Sequence, residues 1–110
     1  MSTPSEQAPY VLEGVGRIDA SIASQLDEQL KALHAAGVRV LILDLSKVTY
    51  LSSSGLRVLL LALRRQEASG GRFVLRNVPE RIMRVLRIAG FDRLFPIEGD
   101  PALTSETHDA

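Results

Sequence analysis

Val38 to Leu45 reads Val-Arg-Val-Leu-Ile-Leu-Asp-Leu, with Gly37 before it and Ser46 after it. The run is almost continuously apolar and rich in branched side chains. It is too short for an ordinary helix, and its length and bounds suit a strand buried on both faces. A second run, Arg72 to Val78, has Phe73, Val74 and Leu75 in its middle and reads the same way. Between them, Ser53 to Ser69 has helical period, with Leu56, Leu59, Leu60 and Leu63 on one stripe, and Gly70-Gly71 ends it. Buried strands joined through a helix require a mainly parallel sheet with right-handed crossovers.

The flanking segments extend the same alternation. Tyr10 to Glu13 reads as a short strand; Gly14 and Gly16 bracket a turn or bulge, and Arg17-Ile18 continues or pairs with the strand. Ser21 to Ala36 is helical by period, with Ile22, Leu26, Leu30 and Leu33 as its apolar stripe. Asp19 or Ser21 can cap its start, and Gly37 suits the position after its last turn. Pro79 fits a first helical turn. The helix after it turns Ile82, Val85, Leu86 and Ala89 inward and stops at Gly90, and Leu94-Phe95-Pro96-Ile97 is a short terminal strand or extended segment. The expectation is an α/β fold: one mainly parallel sheet of four to five strands with helices packed on it. Its bounds are residues 10–98, after a disordered lead-in (1–9) and before a polar, frayed tail (99–110) with at most a helical turn at Ala102-Leu103.

At 110 residues and 12.0 kDa, the chain holds one domain. Aromatics are 5% of residues against 45% hydrophobic, so the core is aliphatic. The absence of cysteine excludes disulfides, thiolate metal sites and a cysteine nucleophile, and fits the cytoplasm. Net charge is zero, yet Arg57 to Arg93 holds nine arginines against Glu67, Glu80 and Asp92. They fall on the polar faces of helices, without a recognition-helix or aromatic-stacking motif, so nucleic acid is not expected. No apolar run reaches the length of a membrane span, and Met1 to Pro9 lacks an apolar signal region.

Ligands and partners of open parallel sheets meet the carboxyl ends of the strands. Three polar clusters follow strands here: Asp19 with Ser21; Asp44, Ser46 and Lys47 leading into Ser52-Ser53-Ser54-Gly55; and Asn77. No Walker loop or Gly-x-Ser-x-Gly elbow is present. His34, inside the first helix, and His108, in the tail, read as solvated rather than as catalytic bases. Asp44 suits a phospho-accepting aspartate, but no acidic pair follows the first strand to hold a metal ion. The serine junction is the densest cluster. Serines at a helix start can cap it, and the same place suits a phosphate, because free N–H groups and the helix dipole meet there.

Asp44-Leu45-Ser46, Val48, Tyr50-Leu51 and Ser52-Ser53-Ser54-Gly55-Leu56-Arg57-Val58-Leu59-Leu60 resemble the signature of STAS domains, the bacterial anti-sigma factor antagonists. The likeness continues through Gly70-Gly71-Arg72, Asn77, Ala89-Gly90-Phe91 and Leu94-Phe95-Pro96-Ile97, and Gly16-Arg17-Ile18-Asp19-Ala20 resembles a family turn. The resemblance implies a STAS-type single domain and a non-enzymatic partner switch without cofactor or metal. Its partners would be an anti-sigma factor that is also a serine kinase and a PP2C-type phosphatase. The protein would be a monomer or weak dimer with no membrane insertion. Carried over by position, the phosphorylated serine is Ser53, with Ser52 as second choice. Asp19, Ser21, Ser46, Ser52, Ser53, Ser54, Gly55 and Arg57 would form the partner-binding edge. Many members carry Asp where this chain has Ser52. Ser53 is thus either an acceptor or only a cap, Ser54 a structural or capping residue, and Asp19 a cap or a partner contact. Asp44 orders its own turn, and Gly55 either permits close packing or keeps the helix start open. STAS-like domains also serve, without phosphorylation, in membrane transport complexes, or as nucleotide-binding modules.

Overall fold

The structure is a computed structural model that describes residues 8–99. Its elements alternate strictly: β1 (Tyr10–Ile18), α1 (Ala20–Ala35), β2 (Val40–Leu51), α2 (Ser53–Ala68), β3 (Arg72–Arg76), α3 (Glu80–Ala89) and β4 (Ile97–Glu98). The four strands form one sheet in the order β1-β2-β3-β4, every pair parallel. The expected lead-in falls largely, and the expected tail almost wholly, outside the described residues, as do His108 and the turn at Ala102-Leu103.

A parallel sheet whose strands follow chain order, joined by right-handed crossovers, carries all its helices on one face. The core agrees. Leu41, Leu43 and Leu45 of β2 and Phe73 and Leu75 of β3 share one buried cluster with Ala23, Leu26 and Leu30 of α1, Val58, Leu59, Ala62 and Leu63 of α2, and Ile82 and Leu86 of α3. Ile42 and Val74, at the alternate positions, are buried but lie outside that cluster. The three phenylalanines meet, Phe95 standing edge-on to Phe73 with ring centroids 6.2 Å apart and tilted against Phe91 at 6.4 Å.

Several bounds differ from the sequence reading. The segment from Tyr10 to Ile18 is a single strand; its register against β2 shifts between Glu13 and Val15 and between Gly16 and Arg17, so the glycines mark bulges rather than a turn. β2 begins later and runs six residues past Leu45. The terminal strand is only Ile97–Glu98, and Leu94 lies in the turn before it. Pro79 is the N-cap of α3, one position before the first turn. On α1 the buried residue of the first turn is Ala23, while Ile22 is exposed. The small side chain lets that turn sit close, and the buried arc then runs through Ala23, Leu26 and Leu30. Ala89 likewise faces outward, because α3 fully buries only Ile82 and Leu86.

Candidate functional site

The carboxyl edge of the sheet is stepped. β3 ends at Arg76, opposite Asp44, whereas β2 continues to Leu51 and pairs with β1 as far as Ile18. Past the step the two strands form an arm on which two exposed residues precede each buried one: Val48 and Leu51 are buried, while Ser46, Lys47, Thr49 and Tyr50 are exposed. At its tip the N–H of Ser52 donates to the Ile18 carbonyl at 3.0 Å. Two helices therefore start side by side. Asp19 caps α1, its Oδ1 accepting from the Ile22 N–H at 3.0 Å, and Ser52 caps α2, its Oγ accepting from the Gly55 N–H at 3.1 Å.

This geometry divides the three serines. Ser52 is half-buried and its hydroxyl is engaged as the cap. Ser53 and Ser54 are the first two helical residues, both exposed, and neither hydroxyl has a hydrogen-bond partner among the described residues. The cap thus lies at Ser52, not at Ser53 or Ser54, because its extended backbone aims Oγ back at the turn. Gly55 is buried, and a Cβ there would stand 2.6 Å from Leu51 Cδ1 and 3.1 Å from Ile18 Cγ2. Its lack of a side chain lets α2 start directly against the arm, which is the close-packing role. Asp19, Ser21 and Arg57 are exposed, and Asp19 flanks the serines at the same tip. Ser46 does not join them. It stands five strand residues before Leu51, roughly 17 Å at the rise of a strand.

Ser46 belongs instead to a cluster at the step. Its Oγ and its N–H both donate to Asp44 Oδ1, at 2.7 and 2.9 Å, and Asn77 Nδ2 donates to Asp44 Oδ2 at 3.0 Å. Burial pushes the Asp44 carboxyl up. The Ser46 side-chain and backbone hydrogen bonds, the Asn77 amide and the Arg76 charge outweigh it and hold the group below the usual carboxylate range. Asn77 sits at φ 53°, a left-handed conformation that asparagine tolerates, and its N–H donates to the Glu98 carbonyl at 3.0 Å. No turn stands here, since β2 runs on through Ser46; the carboxylate instead bonds to its own strand two residues on and ties β2 to the residue that leaves β3. Among the described residues no group of three or more His, Asp or Glu could hold a metal ion.

A second polar network, at the amino edge, escaped the sequence reading. Gln66 is 1% exposed, and its Nε2 donates to the carbonyls of Val38 and Arg39, each at 3.0 Å. Its Oε1 lies 2.8 Å from His34 Nδ1, so that nitrogen is the donor. His34 is therefore half-buried and bonded rather than solvated. Gln66 sits two turns past Leu59 on the inward face of α2, and only that spacing could have flagged it. On the arm, the Arg17 guanidinium lies 4.2 Å from the centroid of the Tyr50 ring.

The family model described as "Mlab, STAS domain" matches residues 1–97. Over 86 residues the chain is 36% identical to BtrV, a Bordetella bronchiseptica protein named as an anti-sigma factor antagonist; the alignment covers 78% of this chain and 72% of BtrV. Among solved structures, the anti-sigma factor antagonist SpoIIAA in its unphosphorylated form superposes with a TM-score of 0.72 at 19% identity, covering 94% of this chain and 91% of that one. SpoIIAA, a Bacillus cell fate determinant, superposes in its phosphorylated form with a TM-score of 0.67 at 18% identity, covering 96% of each. A sulfate transporter family protein from Wolinella succinogenes gives 0.73 at 18% identity, covering 100% of this chain and 93% of that one. Among the described residues no helix is long and apolar enough to cross a membrane.

Proposed function

The chain belongs to the STAS domain family, and we propose that within it the chain acts as an anti-sigma factor antagonist switched by phosphorylation of Ser53. In this reading the unmodified protein docks an anti-sigma factor, itself a serine kinase, through the tip formed by Asp19, Ser21 and Ser52 to Arg57. Docking releases the sigma factor. The kinase then transfers the γ-phosphoryl group of ATP to Ser53 Oγ, the hydroxyl proton leaves, and the complex dissociates until a PP2C-type phosphatase hydrolyses the ester. The chain is a binding module that works in the cytoplasm, where ATP and such a kinase meet it.

One observation carries the reading: Ser53 is an exposed, unengaged hydroxyl at the first position of α2, while the rival Ser52 is engaged as the cap; Ser54 is exposed and unengaged as well, and Ser53 is chosen over it by the position that the family resemblance implies. A phosphoserine brings a charge of about −1.5 to −2 and three acceptor oxygens. At a helix start that charge is locally favourable, and α2 has no acidic residue in its first turn to repel it. Phosphorylation therefore leaves the fold intact and acts on the partner, through bulk and charge at the docking tip. The experiment is phosphate mapping by mass spectrometry after incubation with the anti-sigma factor kinase and ATP. One phosphate is expected, on Ser53; it should vanish in Ser53→Ala and persist in Ser52→Asp, which keeps the cap. Normal incorporation into Ser53→Ala would sink the assignment.

A second reading is a STAS subunit of a transport complex. It is favoured by the equally good superposition on the sulfate transporter family protein. Co-purification with a transporter, and none with a kinase, would select it.

A further inference from the structure

The first five residues of α2 carry one cation, Arg57. Arg57 stands four residues after Ser53, and on a helix such residues are neighbours, with Cβ atoms about 5–6 Å apart. An acidic group N-terminal to a basic one is also the favoured order for such a pair. Arg57 is exposed, and no carboxylate among the described residues pairs with it. The other charged groups at this end are accounted for. Asp19 is the one carboxylate at the tip and caps α1, Arg17 is stacked on Tyr50, and Arg81 donates from α3 to the Thr49 carbonyl at 3.4 Å. The Ser52 cap and the buried Gly55 fix the first turn, so the direction in which Ser53 leaves the helix is fixed with it.

We infer that Arg57 is a built-in clamp for phosphoserine 53, its guanidinium fork donating N–H bonds to two phosphate oxygens. A planar fork matches phosphate oxygens in a way that a point charge does not. The inference rests on the reading of Ser53 as the acceptor, and it adds a second effect to that switch. In the unmodified protein the Arg57 charge faces the partner. In the modified protein it is folded back onto the phosphate. The docking tip then loses a cation at the same moment that it gains an anion. Arg57 is thus a positioning residue for the phosphate and a contact for the partner, in alternation.

The test installs phosphoserine at position 53 during translation of the full chain, so that no kinase is needed, and follows the phosphate by 31P NMR titration. A phosphate paired with Arg57 should lose its second proton about 0.15–0.4 pH unit lower in the native sequence than in Arg57→Gln, from the strength of helix pairs at this spacing. Arg57→Lys should recover part of that difference, Arg64→Gln should leave the native value unchanged, and Asp19→Asn should lower it further. A merely structural role for Arg57 would move the melting temperature and not this value. Superimposable titrations of the native and Arg57→Gln proteins would overturn the clamp. Loss of the kinase result above with the titration difference intact would overturn the choice of acceptor alone.

Discussion

Ser52 Oγ accepts the N–H of Gly55 at 3.1 Å, so the serine immediately before the proposed acceptor is already committed to holding α2 in place. The two adjacent serines should therefore respond oppositely to truncation. Ser52→Ala removes the cap and should cost about 1 kcal/mol of stability, whereas Ser52→Asp should restore it. Ser53→Ala should stay within about 0.5 kcal/mol of the native protein, as expected of an exposed side chain without partners. Urea unfolding of the three variants compares them directly.

Asp44 makes stability depend on acid. Its folded-state pKa lies below the ordinary value of 3.8, so the carboxylate contributes stability that is fully present above that value and is lost as pH falls through the folded pKa. The urea midpoint should drop below about pH 4, the range in which an unperturbed carboxyl takes up its proton. Asp44→Asn should be destabilised at neutral pH by about 1–3 kcal/mol, because its amide NH2 would face donors where the carboxylate accepted. It should also lose part of the acid dependence. Equal slopes for both proteins between pH 7 and pH 3 would contradict this account.

Gln66 satisfies the carbonyls of Val38 and Arg39 from a position 1% exposed to solvent. Gln66→Ala leaves both without that partner and opens a cavity beside His34, so a loss of about 2–4 kcal/mol is expected in chemical denaturation. His34→Ala should cost less, since it removes one bond and leaves both carbonyls paired.

Gly71 permits a close approach of backbone to backbone. A Cβ at this position would stand 2.3 Å from the Arg39 carbonyl oxygen, which cannot move without disturbing the start of β2. Gly71→Ala should destabilise by about 1–3 kcal/mol, the usual cost of overpacking, and thermal melts will read it.

The runs that are apolar on both faces announced themselves, and with them the alternating order of strands and helices and the parallel sheet. The arm did not. Its residues Ser46 to Leu51 include four exposed side chains, and only Val48 and Leu51 point inward, so the segment looks like a loop until β1 is seen beside it. The serine junction was legible as a helix start. Which serine caps it depends on the extended backbone at Ser52. The bond from Asn77 to Asp44 spans 33 residues, and the burial of Gln66 is a tertiary fact in a helix whose polar and apolar faces otherwise follow the expected period. Both are long-range pairings that local pattern does not encode.

The step in the sheet edge has a consequence for recognition by an enzyme. A kinase must draw its target hydroxyl into an enclosed cleft, and a hydroxyl flush with a broad sheet edge would be shielded by its own neighbours. Here β1 and β2 carry the helix starts past the point where β3 ends, on a narrow promontory. A cleft can close over its tip while β3 and β4 stay outside. In the proposed switch, the overhang that looks like a mismatch in strand length is what lets the domain be both a docking partner and a substrate, with no segment that must unfold to be reached.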